Sequence, residues 1–284
     1  MGRTVWYPGH MAKGRRRLEA LSGQLDLLLE VRDARAPRLT SSPALLDAPE
    51  KLSVWILLSK ADLADSSITS DWTEYLRRSG RRVWAADLSN GVPQTLRRAI
   101  EELRPSTSSN RVYRDVRVAV AGTPNVGKST LLNRLVGRRA AAVGGVPGVT
   151  KGVSWFKGHG YIVVDTPGIL DPHSDARVHR MLAWISSSKG QVIGSWTNHA
   201  CECIGFLQRH NMTSGVASAL EIDMSGSPAD ILEAVGRRLG RVIRGGRVDL
   251  EASGKVFIES LGSGKLGRLS FERPESPPPW SELQ

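Results

Sequence analysis

The stretch "GTPNVGKST" at 122 to 130 has the spacing G-x-x-x-x-G-K-[ST], with Gly122, Gly127, Lys128 and Ser129 at the defining positions. Glycines at those points let backbone N–H groups face phosphates at a helix N-terminus, where free N–H groups and the helix dipole favour anions. Lys128 then reaches the terminal phosphates of a nucleotide and offsets charge on a transferring phosphoryl group. The Ser129 hydroxyl is a ligand for Mg²⁺. Asn125, Val126, Gly127 and Thr130 complete the phosphate loop. Phosphoryl transfer or hydrolysis is the chemistry such a loop serves.

Downstream, "VVDTPG" puts Asp165 at the end of an apolar run, with Gly168 three residues later. This D-x-x-G places Asp165 in the Mg²⁺ shell and the Gly168 N–H where it senses a γ-phosphate. Between the two motifs, "GGVPGVT" at 144 to 150 has the Gly and Pro content of a switching loop. It ends in Thr150, placed to close over the metal.

A base-reading loop is the remaining need, and "LLSKADL" at 57 to 63 supplies one ahead of the phosphate loop. In an N-K-x-D loop the Asp accepts from the guanine N1 and N2 groups, which adenine cannot offer, and the Lys stem lies along base and ribose. Ser59, Lys60, Ala61 and Asp62 keep those roles except that Ser59 replaces the usual Asn. A weaker tether to the phosphate loop is the expected cost. Asp87 and Leu88, in "AADLSNG", fall where a second base-side loop belongs. An ATP-using P-loop enzyme is the competing reading, and Asp62 argues against it.

In chain order the motifs run base loop, second base loop, phosphate loop, switch threonine, D-x-x-G, which is the order of a circularly permuted domain. The elements that must position them are short apolar runs bounded by turn residues: "LDLLLEV" at 25, "SVWILLS" at 53, "RRVWAADL" at 81, "DVRVAVAG" at 115 and "YIVVDTPG" at 161. Helical patterns lie between several of them. "SDWTEYLRRSG" is predicted to start at a cap of Ser70 and Asp71 and to stop at Gly80, and "VPQTLRRAIEELR" has Pro93 in its first turn. The alternation predicts an α/β fold, a mostly parallel sheet with helices on both faces. Beyond it, "DILEAVGRRLGRVI" at 230 to 243 predicts one helix with Ile231, Val235, Leu239, Val242 and Ile243 on one face and Arg237, Arg241 and Arg244 on another, part of a small all-helical C-terminal domain. The predicted boundaries are a basic segment 1–24, a nucleotide domain 25–184, a helical domain 185–273 and a Pro-rich disordered tail 274–284.

A formal net charge of +11 over 284 residues argues for a polyanionic partner. Arg3, Lys13, Arg15, Arg16 and Arg17 form one block without acids, and Arg237, Arg238, Arg241, Arg244 and Arg247 another. Such separated blocks predict an extended contact with nucleic acid. No apolar run approaches a membrane span, and the N-terminus lacks a secretory core, so a cytoplasmic location is expected. Two cysteines, Cys201 and Cys203, are too few for a thiolate zinc site.

"WYPGHMAKGRR" at 6 to 16, "DARAP" at 33 to 37, the permuted motifs, "DTPGIL" and "SGKLGRLSFE" at 263 to 272 together resemble the RbgA/YlqF type of ribosome biogenesis GTPase. The resemblance implies binding of GTP and GDP, and a monomer that acts on a large ribosomal subunit precursor through its rRNA. Release would follow hydrolysis. The family has a hydrophobic residue where Ras-like enzymes place a water-orienting Gln, and that position here is Ile169. His10 matches the family's proposed replacement, an imidazole able to orient or deprotonate water. Asn125 matches an Asn that coordinates K⁺ beside the β and γ phosphates. An RNA-binding scaffold with a structural, barely hydrolysed nucleotide would carry the same motifs.

Overall fold

In the computed structural model the described residues are 20–42, 52–103, 115–137, 142–143, 155–165, 175–188 and 194–283. They divide into two compact units. The α/β unit contains β1 (Leu27–Asp33), β2 (Ser53–Ser59), α1 (Ser66–Arg78), β3 (Arg82–Ala86), α2 (Gln94–Glu102), β4 (Val116–Ala121), α3 (Lys128–Val136), β5 (Ala142–Val143), β6 (Trp155–Lys157) and β7 (Tyr161–Asp165). The helical unit contains α4 (Ala176–Trp184), α5 (Trp196–Arg209), α6 (Ser214–Leu220), α7 (Pro228–Arg238) and α8 (Leu250–Gly262).

The sheet order is β3-β2-β1-β4-β7-β6-β5. The first five strands are parallel, and β6 and β5 add antiparallel pairs at one edge. All seven residues of β1 are buried, as a strand covered on both faces requires. Period-two alternation divides its side chains. Leu27, Leu29 and Val31 pack with Val118, Val120, Leu96 and Leu131 on one face, while Leu28 packs with Ala119, Val164, Leu21 and Leu25 on the other. From β1 the chain winds outward through β2 and β3, then restarts at β4 and winds the opposite way. That reversal between β1 and β4 makes a topological switch point, and ligands of open α/β sheets bind outside the carboxyl ends of the strands there.

Two helix boundaries differ from the sequence expectation. Helix α1 starts at Ser66, so Ser70 and Asp71 lie within it; its apolar stripe of Ile68, Trp72 and Leu76 begins before them and draws the preceding turn into the helix. Helix α7 ends at Arg238 instead of running to Ile243. Gly240, at φ +67°, breaks it in the left-handed conformation. The chain then doubles back as a hairpin, with Val242 bridged to Val248 and the Ile243 N–H donating to Arg247 O at 2.8 Å. Val242 and Ile243, expected on a buried helix face, are 46% and 44% exposed.

The helical unit packs α5, α7 and α8 against one another, and α4 against α8. Trp184, Phe206 and Phe271 meet in its core, with ring centroids 5.3 to 6.2 Å apart. His199 is buried there, and burial pushes it down to about 4, so it is neutral at physiological pH. Helix α4, expected to close the nucleotide domain, groups with this unit. The terminal segment expected to be disordered instead carries a 3₁₀ turn at Pro279–Glu282. It is placed by buried Leu283 and by His210 Nε2, 2.8 Å from the Glu282 carboxylate. Leu63–Asp65, far earlier in the chain, also belongs to the helical unit. Leu63 O accepts from Leu269 N at 3.0 Å, and Asp65 N donates to Ser270 Oγ at 3.1 Å.

Candidate nucleotide-binding site

Strand β4 ends at Ala121 and α3 starts at Lys128, so the phosphate loop occupies the six residues between a buried strand and a helix N-terminus. Asn125 at φ +57° and Gly127 at φ +97° take left-handed conformations that curl the loop. Lys128 folds back across it, and its Nζ donates to Thr123 O at 2.7 Å with the side chain buried. The Thr123 hydroxyl is buried without a partner among the described residues. Ser129 and Thr130 stand exposed in the first helical turn. An inward-facing ammonium, exposed hydroxyls and a helix N-terminus together fit the phosphates of a nucleotide and a Mg²⁺ ion on them.

The base loop leaves β2 next to this cradle. Ser59 Oγ lies 2.5 Å from Val126 O and 3.0 Å from Arg32 O. One hydroxyl proton serves one acceptor at a time, and the shorter contact ties the base loop to the phosphate loop. The weakened tether expected from losing Asn is therefore not what the geometry shows. The end of β2 approaches closely enough for a short side chain, since a Cβ on Gly127 would lie 3.7 Å from Ser59 Oγ and 3.5 Å from Leu88 Cδ1. Ala61 N donates to Ala86 O at 3.2 Å, joining the two base-side loops. Leu88 is buried at the phosphate loop. Asp87 is occupied: its carboxylate accepts from Ser89 N, Ser89 Oγ and Asn90 Nδ2 at 2.7 to 2.9 Å, and the Ser89 bond foremost holds it below its ordinary value. It shapes the turn. Asp62 is exposed and accepts no hydrogen bond from the described residues.

Sequence reasoning missed Asp33 and Arg35. Both are buried at the end of β1, between the strands that carry the two loops. Asp33 Oδ1 accepts from Arg35 N and Nε at 3.0 and 2.9 Å. Its Oδ2 accepts from Arg35 Nη2 at 2.8 Å and lies 2.9 Å from Lys60 Nζ. Burial pushes this carboxyl up, but bonding and attraction from Arg35 and Lys60 outweigh it and hold Asp33 below the usual carboxylate range. The available signal was "DARAP", an acid and an arginine two residues apart at a strand end.

Asp165 closes β7, its backbone paired opposite Val120 of β4 and so beside the strand that feeds the phosphate loop. His10, Thr150, Gly168 and Ile169 lie outside the described residues.

Phosphate and base loops thus converge at the carboxyl ends of β4 and β2, the two strands that flank β1, in permuted order. A family model described as a 50S ribosome-binding GTPase matches residues 117–213. The ribosome biogenesis GTPase A of Thermotoga maritima is 34% identical over 280 residues, covering 98% of each chain. The chain belongs to the ribosome biogenesis GTPase A family. It is accordingly a P-loop GTPase that binds guanine nucleotide. A Bacillus licheniformis member is 33% identical over 279 residues, 95% of this chain and 98% of that one. Among solved structures, GNP-bound YlqF from T. maritima superposes with a TM-score of 0.64 at 30% identity, covering 93% of this chain and all of that one. The GDP-bound form gives 0.66 at 29% identity, covering 92% of this chain and all of that one.

Proposed function

We propose that this GTPase acts on a precursor of the large ribosomal subunit, binds its rRNA while GTP is present, and leaves after hydrolysis. The observation that carries the RNA half is the hairpin between α7 and α8. Of the five arginines there, Arg237 is bonded to Glu233, and Arg238 to Glu221 and the Leu220 carbonyl. Arg241, Arg244 and Arg247 are exposed and make no ion pair among the described residues. Three unneutralised guanidinium groups on a projecting turn are suited to phosphate oxygens, whose counterions they displace on binding. Membership in a ribosome biogenesis family supports rRNA as the polyanion. No helix among the described residues is long and apolar enough to cross a membrane. In this reading the protein would act on its ribosomal partner in the cytoplasm, as a monomer. The α/β unit would handle nucleotide, and the helical unit, with the basic residues 1–24, would handle RNA.

Within the site Lys128 would hold the β and γ phosphates, Gly168 would sense the γ-phosphate, and Ser129, Thr150 and Asp165 would hold Mg²⁺. That ion would supply positive charge to the phosphates. Ile169 cannot hydrogen-bond to water, so His10 would orient the attacking water. Asn125 would hold K⁺ where other GTPases place an arginine. Hydrolysis should therefore run faster in K⁺ than in Na⁺ at equal ionic strength, and equal rates would refute the K⁺ site.

The decisive experiment measures GTP hydrolysis with and without large-subunit particles. Wild type should be stimulated by particles. Lys128→Ala should lose on the order of a hundredfold or more in both conditions, as removal of a preorganised charge on the transferring group implies. Replacing Arg241, Arg244 and Arg247 together by Ala should keep the basal rate and lose the stimulation. A wild type that particles fail to accelerate would favour a scaffold with a structural nucleotide.

A further inference from the structure

Lys60 carries the base loop through a left-handed turn of the backbone. At φ +55° it occupies a region that non-glycine residues adopt only when neighbouring contacts over-determine it. Those contacts are present on both sides: Ser59 O accepts from Ala34 N at 2.8 Å, and Ala61 N bonds to Ala86 O. The remaining constraint is on the side chain. Asp33 is fully buried, and Arg35 grips both its oxygens, so the carboxylate cannot rotate to follow a moving partner. Lys60, whose side chain is 24% exposed, reaches that fixed oxygen at 2.9 Å.

We propose that Asp33 is a positioning residue for nucleotide binding: immobilised by Arg35, it pins the Lys60 ammonium and so holds the base loop in its binding conformation before nucleotide arrives. The inference rests on the reading of Ser59 to Asp62 as the base loop. Two consequences follow from the chemistry. With its ammonium bonded to Asp33, Lys60 offers the nucleotide its methylene stem more than its charge. The contribution is then the same for GDP and GTP, because neither the Lys60 stem nor Asp33 meets the γ-phosphate. A preordered loop also avoids the cost of ordering a long side chain on binding.

The test is a double-mutant cycle with full-length protein, reading the dissociation constants of a fluorescent GDP and a non-hydrolysable fluorescent GTP analogue, with melting temperatures alongside. Lys60→Met and Asp33→Asn should each weaken both nucleotides by about tenfold, the middle of the range for directly coupled residues. Lys60→Met with Asp33→Asn should be no weaker than Lys60→Met alone. Losses that multiply in the double variant would overturn the positioning role while leaving the base loop intact. An unchanged affinity in Lys60→Met, which keeps the methylene stem, would overturn the pin, whereas an unchanged GDP affinity in Asp62→Asn would overturn the base-loop reading itself, and the proposal with it. Asp33→Asn leaves Arg35 with a poorer partner, so a measurement on unaltered protein guards against its failing to fold. A pinned Lys60 ammonium should give a slowly exchanging side-chain ¹⁵N–¹H signal, identified by its loss in Lys60→Met. No such signal in the wild type would refute the pin.

Discussion

Asp62→Asn is expected to move base preference from guanine toward xanthine. The carboxylate of Asp62 is exposed and free of partners among the described residues, so both its oxygens can accept from the N1 and N2 groups of guanine. An amide keeps one acceptor and replaces the other with a donor, which opposes the guanine amino group and suits the C2 carbonyl of xanthine. Because the loop is held at Ser59, Lys60 and Ala61 by bonds that do not involve Asp62, the substitution alters the chemistry presented and not the loop that presents it. Each lost hydrogen bond to a charged group is worth about 1.5 to 3 kcal/mol. Sites built to bond a polar group reject its absence by up to about ten-thousandfold. GDP affinity should therefore fall by a factor on the order of a hundred or more, and xanthosine diphosphate should gain, as competition against a fluorescent nucleotide would reveal. GDP binding that is unaffected would mean the base is read elsewhere.

The second large effect is on folding. Gly122 sits at φ +150° where β4 gives way to the phosphate loop, and a Cβ there would stand 2.3 Å from the backbone oxygen of Val31 in β1. No rotamer relieves a clash between a Cβ and a main-chain atom, so Gly122→Ala must push β1 and β4 apart at their carboxyl ends. Those strands form the centre of the sheet, with Val31 fully buried. The cost should be about 3 kcal/mol or more, in the range reserved for strain and core disruption. That corresponds to a drop of about 10 °C in the melting temperature of a domain of this size. A melting temperature unchanged by the substitution would show that the strands approach less closely than described.

What could be read from the sequence was whatever is written locally. The phosphate loop and the strand that feeds it are contiguous in the chain, and β1, β2 and β4 announced themselves as apolar runs. The tether from Ser59 to Val126 was not legible, because it depends on how near two loops come when they lie 67 positions apart in the chain. From residue type alone a serine looked too short. The pairing of Asp33 with Lys60 was not legible for the same reason, since Lys60 follows a whole strand later. The hairpin failed differently: Val242 and Ile243 continue the helical period of Ile231 and Val235, and that period outweighed Gly240, Gly245 and Gly246, which mark the break. Arg241, Arg244 and Arg247 consequently share a turn instead of a helix face.

The small stretch Leu63–Asp65 bears on how this protein is made. Its backbone pairs with Leu269 and Ser270, a closure spanning 205 positions from Asp65 to Ser270. The helical residues at the end of the chain are therefore not a detachable module. Expressed alone from about residue 175, they would leave the Leu269 N–H and the Ser270 hydroxyl without those partners. Long closures of this kind slow folding, since the entropy of joining distant segments is lost before the contacts form. During synthesis Leu63 emerges early and must wait for almost the whole remaining chain, so the segment after the base loop completes its bonds only when the last helix has left the exit tunnel.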